Sequence, residues 1–313
     1  MRKAPITGYL LAAAGASLFA TKGVLIKLAY LTGISTEALL TLRLGLSAPV
    51  YLAIGVHAIS RGRALPSRPL LIKAALVGVL GYWFASYTDF LGLNFITVQF
   101  ERLILFTYPA FVVLFGALLF RQKVRRAALI GIAVSYAGLA LMFSSKLHSA
   151  GDGAVKGAAL VLSAAIAFAF YQLLAKDLIG AIGSRLFTCI AMLGAGLATG
   201  LQFVLTQPLT SLVPNASALG YGVALAIGAT ILPTFFLNAA LERISAQANS
   251  TIATLSPVIT LMLAVVVLNE PITAVDAVST ALVMAGVAWF TFADSRRAKP
   301  LSTEVPIGAK VGP

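Results

Sequence analysis

The sequence predicts an all-α membrane protein: ten transmembrane helices arranged as two inverted five-helix repeats, with both termini in the cytoplasm. Three observations predict it: the composition, the lengths of the apolar runs, and an internal repeat. The chain has 313 residues, of which 59% are hydrophobic and 11% charged, and its mean hydropathy is +0.96. Soluble domains carry about 25% charged residues. A chain this apolar belongs in a bilayer. Its formal net charge of +13 would suggest a nucleic-acid partner in a soluble protein. In a membrane protein the cytoplasmic preference of Lys and Arg accounts for the excess, and no nucleic-acid partner is expected.

Crossing a hydrocarbon core takes roughly 20 apolar residues. Ten such runs can be drawn, near 5–29, 36–58, 70–92, 96–120, 127–145, 155–175, 186–206, 217–241, 247–268 and 274–293. They are called spans 1 to 10 below. The connections are short, and the Pro- and Gly-rich tail 295–313 reads as disordered. Cys189, the single cysteine, sits in an apolar run and reads as a small packing residue. His57 and His148 have no partner at metal-ligand spacing, so neither a metal nor a cofactor is expected.

The repeat rests on two alignments. At a shift of 149, "GYLLAAAGASLFATKGVLIKL" meets "GAALVLSAAIAFAFYQLLAKD", placing Gly8 on Gly157, Phe19 on Phe168 and Lys27 on Lys176. At a shift of 148, "YPAFVVLFGALLFRQKV" meets "SPVITLMLAVVVLNEPI", placing Pro109 on Pro257, and further on Gly138 meets Gly286. The first unit is residues 1–150 and the second 151–294. An internal match also argues that the apolar N-terminus is a span and not a leader peptide. Five is odd, so the second unit enters the membrane from the opposite face, as in many transporters. Charge agrees: with a cytoplasmic N-terminus, 17 of the 23 Lys and Arg lie in cytoplasmic segments and only Lys146 and Lys156 outside. That is the positive-inside pattern. Glu270, in the outer turn "NEPIT", then reads as a carboxylate meeting water, with Gln122 as its cytoplasmic counterpart, and Pro271 opens the last helix.

These features together resemble the drug/metabolite transporter superfamily, in its EamA-type branch: ten spans in two halves, a proline at the same register of spans 4 and 9 (Pro109 and Pro257), the Asn-Glu-Pro turn, and a last span bearing "GVAWF". Within that branch "LFTYPAFVVLFGALLF" is similar to amino-acid exporters of the YddG kind, whereas Phe19-Ala20 stands where the family often has Trp-Gly. The resemblance covers roughly residues 5–293. It implies a basket of helices around a central cavity, spans 5 and 10 bracing its outside, and export of small metabolites across the bacterial cytoplasmic membrane.

Six charges fall inside spans: Lys22, Lys27, Arg43, Asp89, Glu101 and Arg102, all in the first half. Each costs at least about 2.5–3.5 kcal/mol on insertion scales. Counting from the outer helix ends, Glu101 lies roughly 7–8 Å in, and Lys22 and Arg43 roughly 10 Å in, at 1.5 Å per residue. The charges form a layer under the outer surface. Asp89, Glu101 and Arg102 read as an outer gate or coupling group, and Lys27 as a snorkelling anchor. Lys22, whose repeat counterpart is Tyr171, reads as facing the pathway; on that reading Lys22→Ala should lose transport and keep its fold. Four cations against two carboxylates leave positive charge for a substrate carboxylate.

Polar stripes complete the reading. Thr230, Thr234, Asn238 and Glu242 recur every four residues along span 8, with Pro233 expected to kink it. Span 3 presents Tyr82, Ser86 and Asp89 on one face with Trp83 and Tyr87 beside them. Span 9 carries Asn249, Ser250, Thr251 and Thr254, and span 6 Phe168, Tyr171 and Gln172. Any one hydroxyl can be interhelical packing. Together they suit a midplane cavity for an amphipathic small molecule. The expected substrate-binding set is Lys22, Arg43, Tyr82, Trp83, Ser86, Tyr171, Thr234 and Asn238. The function expected is export of small amino acids and related metabolites, aromatic amino acids among them, by a monomer in membrane lipid. Nucleosides, nucleotide sugars or drugs are the alternative cargo. An intramembrane enzyme is the remote one, because no nucleophile–base pair lies at membrane depth.

Overall fold

A computed structural model describes residues 6–120, 126–212, 215–241 and 255–295. The expected tail 296–313, Gln122, Glu242 and the polar stripe 249–254 lie outside them. Among the described residues the chain is all helix, with no strand. Seven helical runs are long and apolar enough to cross a bilayer, and the shorter apolar helices Leu129–Ser145, Ser256–Leu268 and Ala274–Trp289 stand beside them.

Helix α1 (Ile6–Ala20) breaks at Thr21 and resumes as α2 (Lys22–Tyr30). Helix α3 (Thr36–Ser60) follows, opened by Ser35, whose hydroxyl accepts from the Ala38 N–H. Then α4 (Arg68–Gly78) passes through a wide π-helical segment, Val79–Phe84, into α5 (Ala85–Gly92). Helix α6 (Val98–Leu105) is capped by Thr97 and breaks at Phe106–Thr107 before α7 (Tyr108–Phe120). Helices α8 (Arg126–Ile182) and α9 (Ser184–Thr206) lead to α10 (Ala216–Ala226), a second π segment (Ile227–Ile231) and α11 (Leu232–Leu241). Helices α12 (Leu255–Leu268) and α13 (Ala274–Ser295) complete the chain.

The connection expected between spans 5 and 6 is itself helical in conformation, so that α8 covers 57 residues and holds two apolar stretches, Leu129–Ser145 and Gly153–Ile182. Straight, it would hold Tyr136 and Phe170 about 51 Å apart at 1.5 Å per residue. Yet Phe111 lies 6.2 Å from Tyr136, and Phe115, stacked 5.8 Å from Phe111, lies 4.4 Å from Phe170. The helix therefore folds back between its two apolar stretches. The intervening "KLHSAGD" has no proline, so nothing removes a helical N–H donor there.

Element boundaries recur at one spacing. Helix α3 begins at Thr36 and α9 at Ser184, α4 at Arg68 and α10 at Ala216, and α8 at Arg126 and α13 at Ala274, each pair 148 apart. The π segments begin at Val79 and Ile227, again 148 apart. A π turn holds one more residue than an α turn and is found mostly at functional sites. In the second copy it also explains the expected effect of Pro233: the wide turn just before it absorbs the missing donor. The first copy has Ala85 at that register and is wide as well, so proline is not the cause.

Close approaches fix the helix pairs. A Cβ on Gly138 would lie 2.8 Å from the Ser279 carbonyl, and one on Gly286 would run into the Gly131 carbonyl. As numbering rises on one helix it falls on the other, so α8 and α13 run antiparallel here. The contact is reciprocal: residues 131 and 279 are 148 apart, as are 138 and 286. Between α4 and α9, a Cβ on Gly78 would run into the Ala191 carbonyl. Backbone cannot yield as a side chain can. Gly78→Ala is therefore expected to destabilise by about 1–3 kcal/mol or more, read as a lower unfolding temperature in detergent. The control is Gly196→Ala, where a Cβ meets nothing within 4 Å.

Candidate functional site

The two helix breaks and the two π segments bring the polar groups together. At the first break, the carbonyls of Phe19 and Ala20 are released from the helical ladder. Arg102 donates to Phe19 at 3.5 Å, and the Thr260 hydroxyl donates to Ala20 at 3.0 Å. A broken span is tolerated in a membrane only where such partners exist.

Lys22 opens the helix after the break. Its ammonium pairs with Asp89 at 2.6 Å, with both side chains buried. Lys22, expected to face the pathway, has its charge matched by the carboxylate three residues from the end of α5. Glu101 faces Asp89, Arg102 and Lys22 and is fully buried. The charge layer read from helix depth thus closes into one cluster. Gln99, on the same helix as Glu101, is buried too.

Arg43 lies apart from that pairing. It is 4% exposed, on α3. Its Nε donates to Thr230 at 2.8 Å and its Nη1 to Ser86 at 3.2 Å, while the guanidinium lies over the Phe90 ring at 5.5 Å. Among the described residues no carboxylate pairs with it. Both hydrogen-bond partners belong to the wide segments: Thr230 sits in the second, and Ser86 follows the first by two residues. Thr230 can accept from Arg43 because its own proton goes to the Leu225 carbonyl, at 2.8 Å. One guanidinium thus holds on to both halves of the chain.

Aromatic rings stand beside it. Tyr51 and Tyr82 lie within electrostatic reach of Arg43. Tyr82 and Tyr171 share a hydroxyl hydrogen bond of 3.1 Å with rings edge to face at 5.0 Å, and Phe168 stacks on Tyr171 at 5.5 Å. Tyr51 reaches Thr234 at 3.5 Å, and Trp83 donates to Gln202. Of the expected set, Arg43 and Ser86 meet directly, as do Tyr82 and Tyr171, whereas Trp83 turns to α9 and Thr234 to Tyr51; Thr230, outside that set, is the second partner of Arg43. Asn238 lies on α11 with its side chain outside the described residues. The expected Gln172 is exposed.

Two groups escaped the sequence reading. Glu37, at the first turn of α3, accepts from the Tyr87 hydroxyl at 2.9 Å. Its place one residue into a span was the available signal. Glu270, expected to meet water, instead accepts from the backbone N–H groups of Val98 and Gln99, at 3.0 and 3.4 Å. The first N–H groups of a helix have no partner of their own, and the helix end is positive. A carboxylate from the second half of the chain fills that need at the start of α6.

The comparisons agree with this architecture. The profile of the EamA-like transporter family matches the chain twice, over residues 6–144 and 155–292. The chain is 27% identical over 266 residues to the uncharacterized transporter YcbK of Bacillus subtilis (strain 168), covering 82% of this chain and 83% of that one. It is also similar, with a TM-score of 0.66 at 19% identity, to a solved chain described as "Crystal structure of protein", covering 93% of this chain and 98% of that one. The last likeness speaks for the fold alone.

Proposed function

The chain belongs to the EamA-like transporter family of the drug/metabolite transporter superfamily, and from that premise we propose that it exports neutral amino acids across the bacterial cytoplasmic membrane. The observation that carries the reading is Arg43: a buried guanidinium held by two hydroxyls, one from each half, with aromatic rings beside it. A buried cation without an anionic partner is costly in a membrane. An incoming carboxylate gives it a bidentate partner. The amino acid's side chain then lies among Tyr82, Tyr171 and Phe168, where no fixed charge selects among neutral side chains. Several neutral amino acids, aromatic ones included, are therefore accepted.

The movement proposed is alternating access by ten spans in two inverted halves, with both termini inside and the chain acting as a monomer. The reciprocal Gly138 and Gly286 contact between antiparallel helices supports this: it is what a two-fold axis lying in the membrane plane produces. Asp89, Glu101 and Arg102 form the outer gate.

The test is counterflow in proteoliposomes. Liposomes loaded with L-phenylalanine should exchange labelled L-phenylalanine and L-leucine but not phenethylamine, which leaves Arg43 unpaired. Equal competition by the amine sinks the carboxylate site, and flux of nucleosides alone puts a different cargo in the cavity. For topology, alkaline phosphatase fused within 207–212 should be active, and a fluorescent protein after Pro313 should glow. An inactive phosphatase in a well-expressed fusion breaks the ten-span arrangement.

A further inference from the structure

We propose that Glu101 and Asp89 share one transferable proton, and that this pair is the site at which export is coupled to proton entry. The inference rests on the transport reading above and deepens it by naming the co-substrate.

The argument begins with hydrogen-bond bookkeeping. The carboxyl groups of Glu101 and Asp89 are 0% and 1% exposed and face each other within hydrogen-bonding reach. Lys22 donates to one oxygen of Asp89 only, Oδ2. Asp89 Oδ1 and both oxygens of Glu101 have no donor from the protein. An ionised carboxylate only accepts. Two of them in contact, cut off from water, repel and leave acceptors empty. One proton between them removes the repulsion and fills the bond.

The surroundings permit the exchange. Arg102 faces the pair from α6 itself, Lys22 from α2, and Asp89 from α5. Helix α12 brings no titratable side chain, only Thr260, which is turned to the Ala20 carbonyl. On α13, Asp276 is occupied at its own helix start by Thr273. On α8, Lys156 lies over Phe95. Arg43 on α3 and the Tyr30 hydroxyl on α2 also lie within electrostatic reach of Asp89. Three cations thus stand around two carboxyl groups. Protonated, the set carries two positive charges; deprotonated, one. The step is Glu101–COOH to Glu101–COO⁻ plus H⁺, with no other bond made or broken.

Such a set is a switch for a dry layer. Burying it with one positive charge more or fewer differs in cost, so the proton biases whether the outer end opens to water. Gly23 keeps the pair in place: a Cβ there would lie 2.9 Å from Val98 and 3.3 Å from Glu101 Oε2.

Infrared difference spectroscopy on the purified full-length protein tests the proton without any substrate. The wild type should show the carbonyl stretch of a protonated carboxyl that vanishes as pH is raised. Glu101→Gln should lack it while melting close to the wild type. The double variant Lys22→Met, Asp89→Asn keeps Glu101 but offers it an amide donor, and should lose the band as well. In proteoliposomes carrying a pH-sensitive dye inside, L-phenylalanine efflux should acidify the lumen. Glu101→Gln should abolish acidification and remove the pH dependence of phenylalanine exchange. A folded wild type with no such band at any pH overturns the proposal, as does undiminished acidification in Glu101→Gln. If the band is present and titrates but phenylalanine does not move, the proton site stands and the amino-acid reading falls.

Discussion

Replacing Arg43 with glutamine is expected to lower kcat/KM for neutral amino acids by about 100-fold or more, because truncating one side of a buried charged pair typically costs about 2–5 kcal/mol. The protein itself should fold. The shorter amide side chain can still hydrogen-bond Ser86 or Thr230, and no carboxylate among the described residues is left without its cation. The measurement is initial-rate counterflow of L-phenylalanine alongside a thermal melt. Arg43→Lys keeps the charge but loses the two-pronged geometry, so it should recover only part of the rate. A folded Arg43→Gln protein with wild-type rates would remove Arg43 from the pathway.

Lys22→Ala should behave in the opposite way. It leaves Asp89 buried and unpaired, and breaking a buried ion pair by removing one partner costs about 3–5 kcal/mol. Loss of folded protein is the expected result, seen as poor yield and a depressed melting temperature. The double variant Lys22→Met, Asp89→Asn removes both charges and should recover most of the stability. That recovery separates an ion pair that holds the bundle together from a cation that meets cargo. A stable but inactive Lys22→Ala protein would return Lys22 to the pathway.

The contrast between these residues shows what could be read before the structure. Depth along a span was legible: counting from the helix ends put Lys22, Asp89 and Glu101 in one layer, and the structure brings them into contact. Angle around the helix was not. Span 1 breaks at Thr21 and span 3 widens between Val79 and Phe84, and each event turns everything after it. Neither leaves a mark such as proline in the first half. Thus Lys22 was read as facing the pathway, whereas in the structure its ammonium pairs with Asp89. Glu270 was read locally, as a turn residue, because its partners Val98 and Gln99 are 172 and 171 residues away. Between spans 5 and 6 only a short connection was read; its residues are helical, since polar residues do not by themselves end a helix.

The two wide turns also keep the two halves of the chain in step. Each adds a residue to its helix, and an extra residue rotates all that follows by about 100° in a helix of 3.6 residues per turn. An addition to one half alone would swing its polar stripe out of step with the other. Both halves carry it at the same place. Arg43 has no counterpart cation in the second half, where Ala191 stands at that position. A widening present twice thus serves a cation that one half alone supplies.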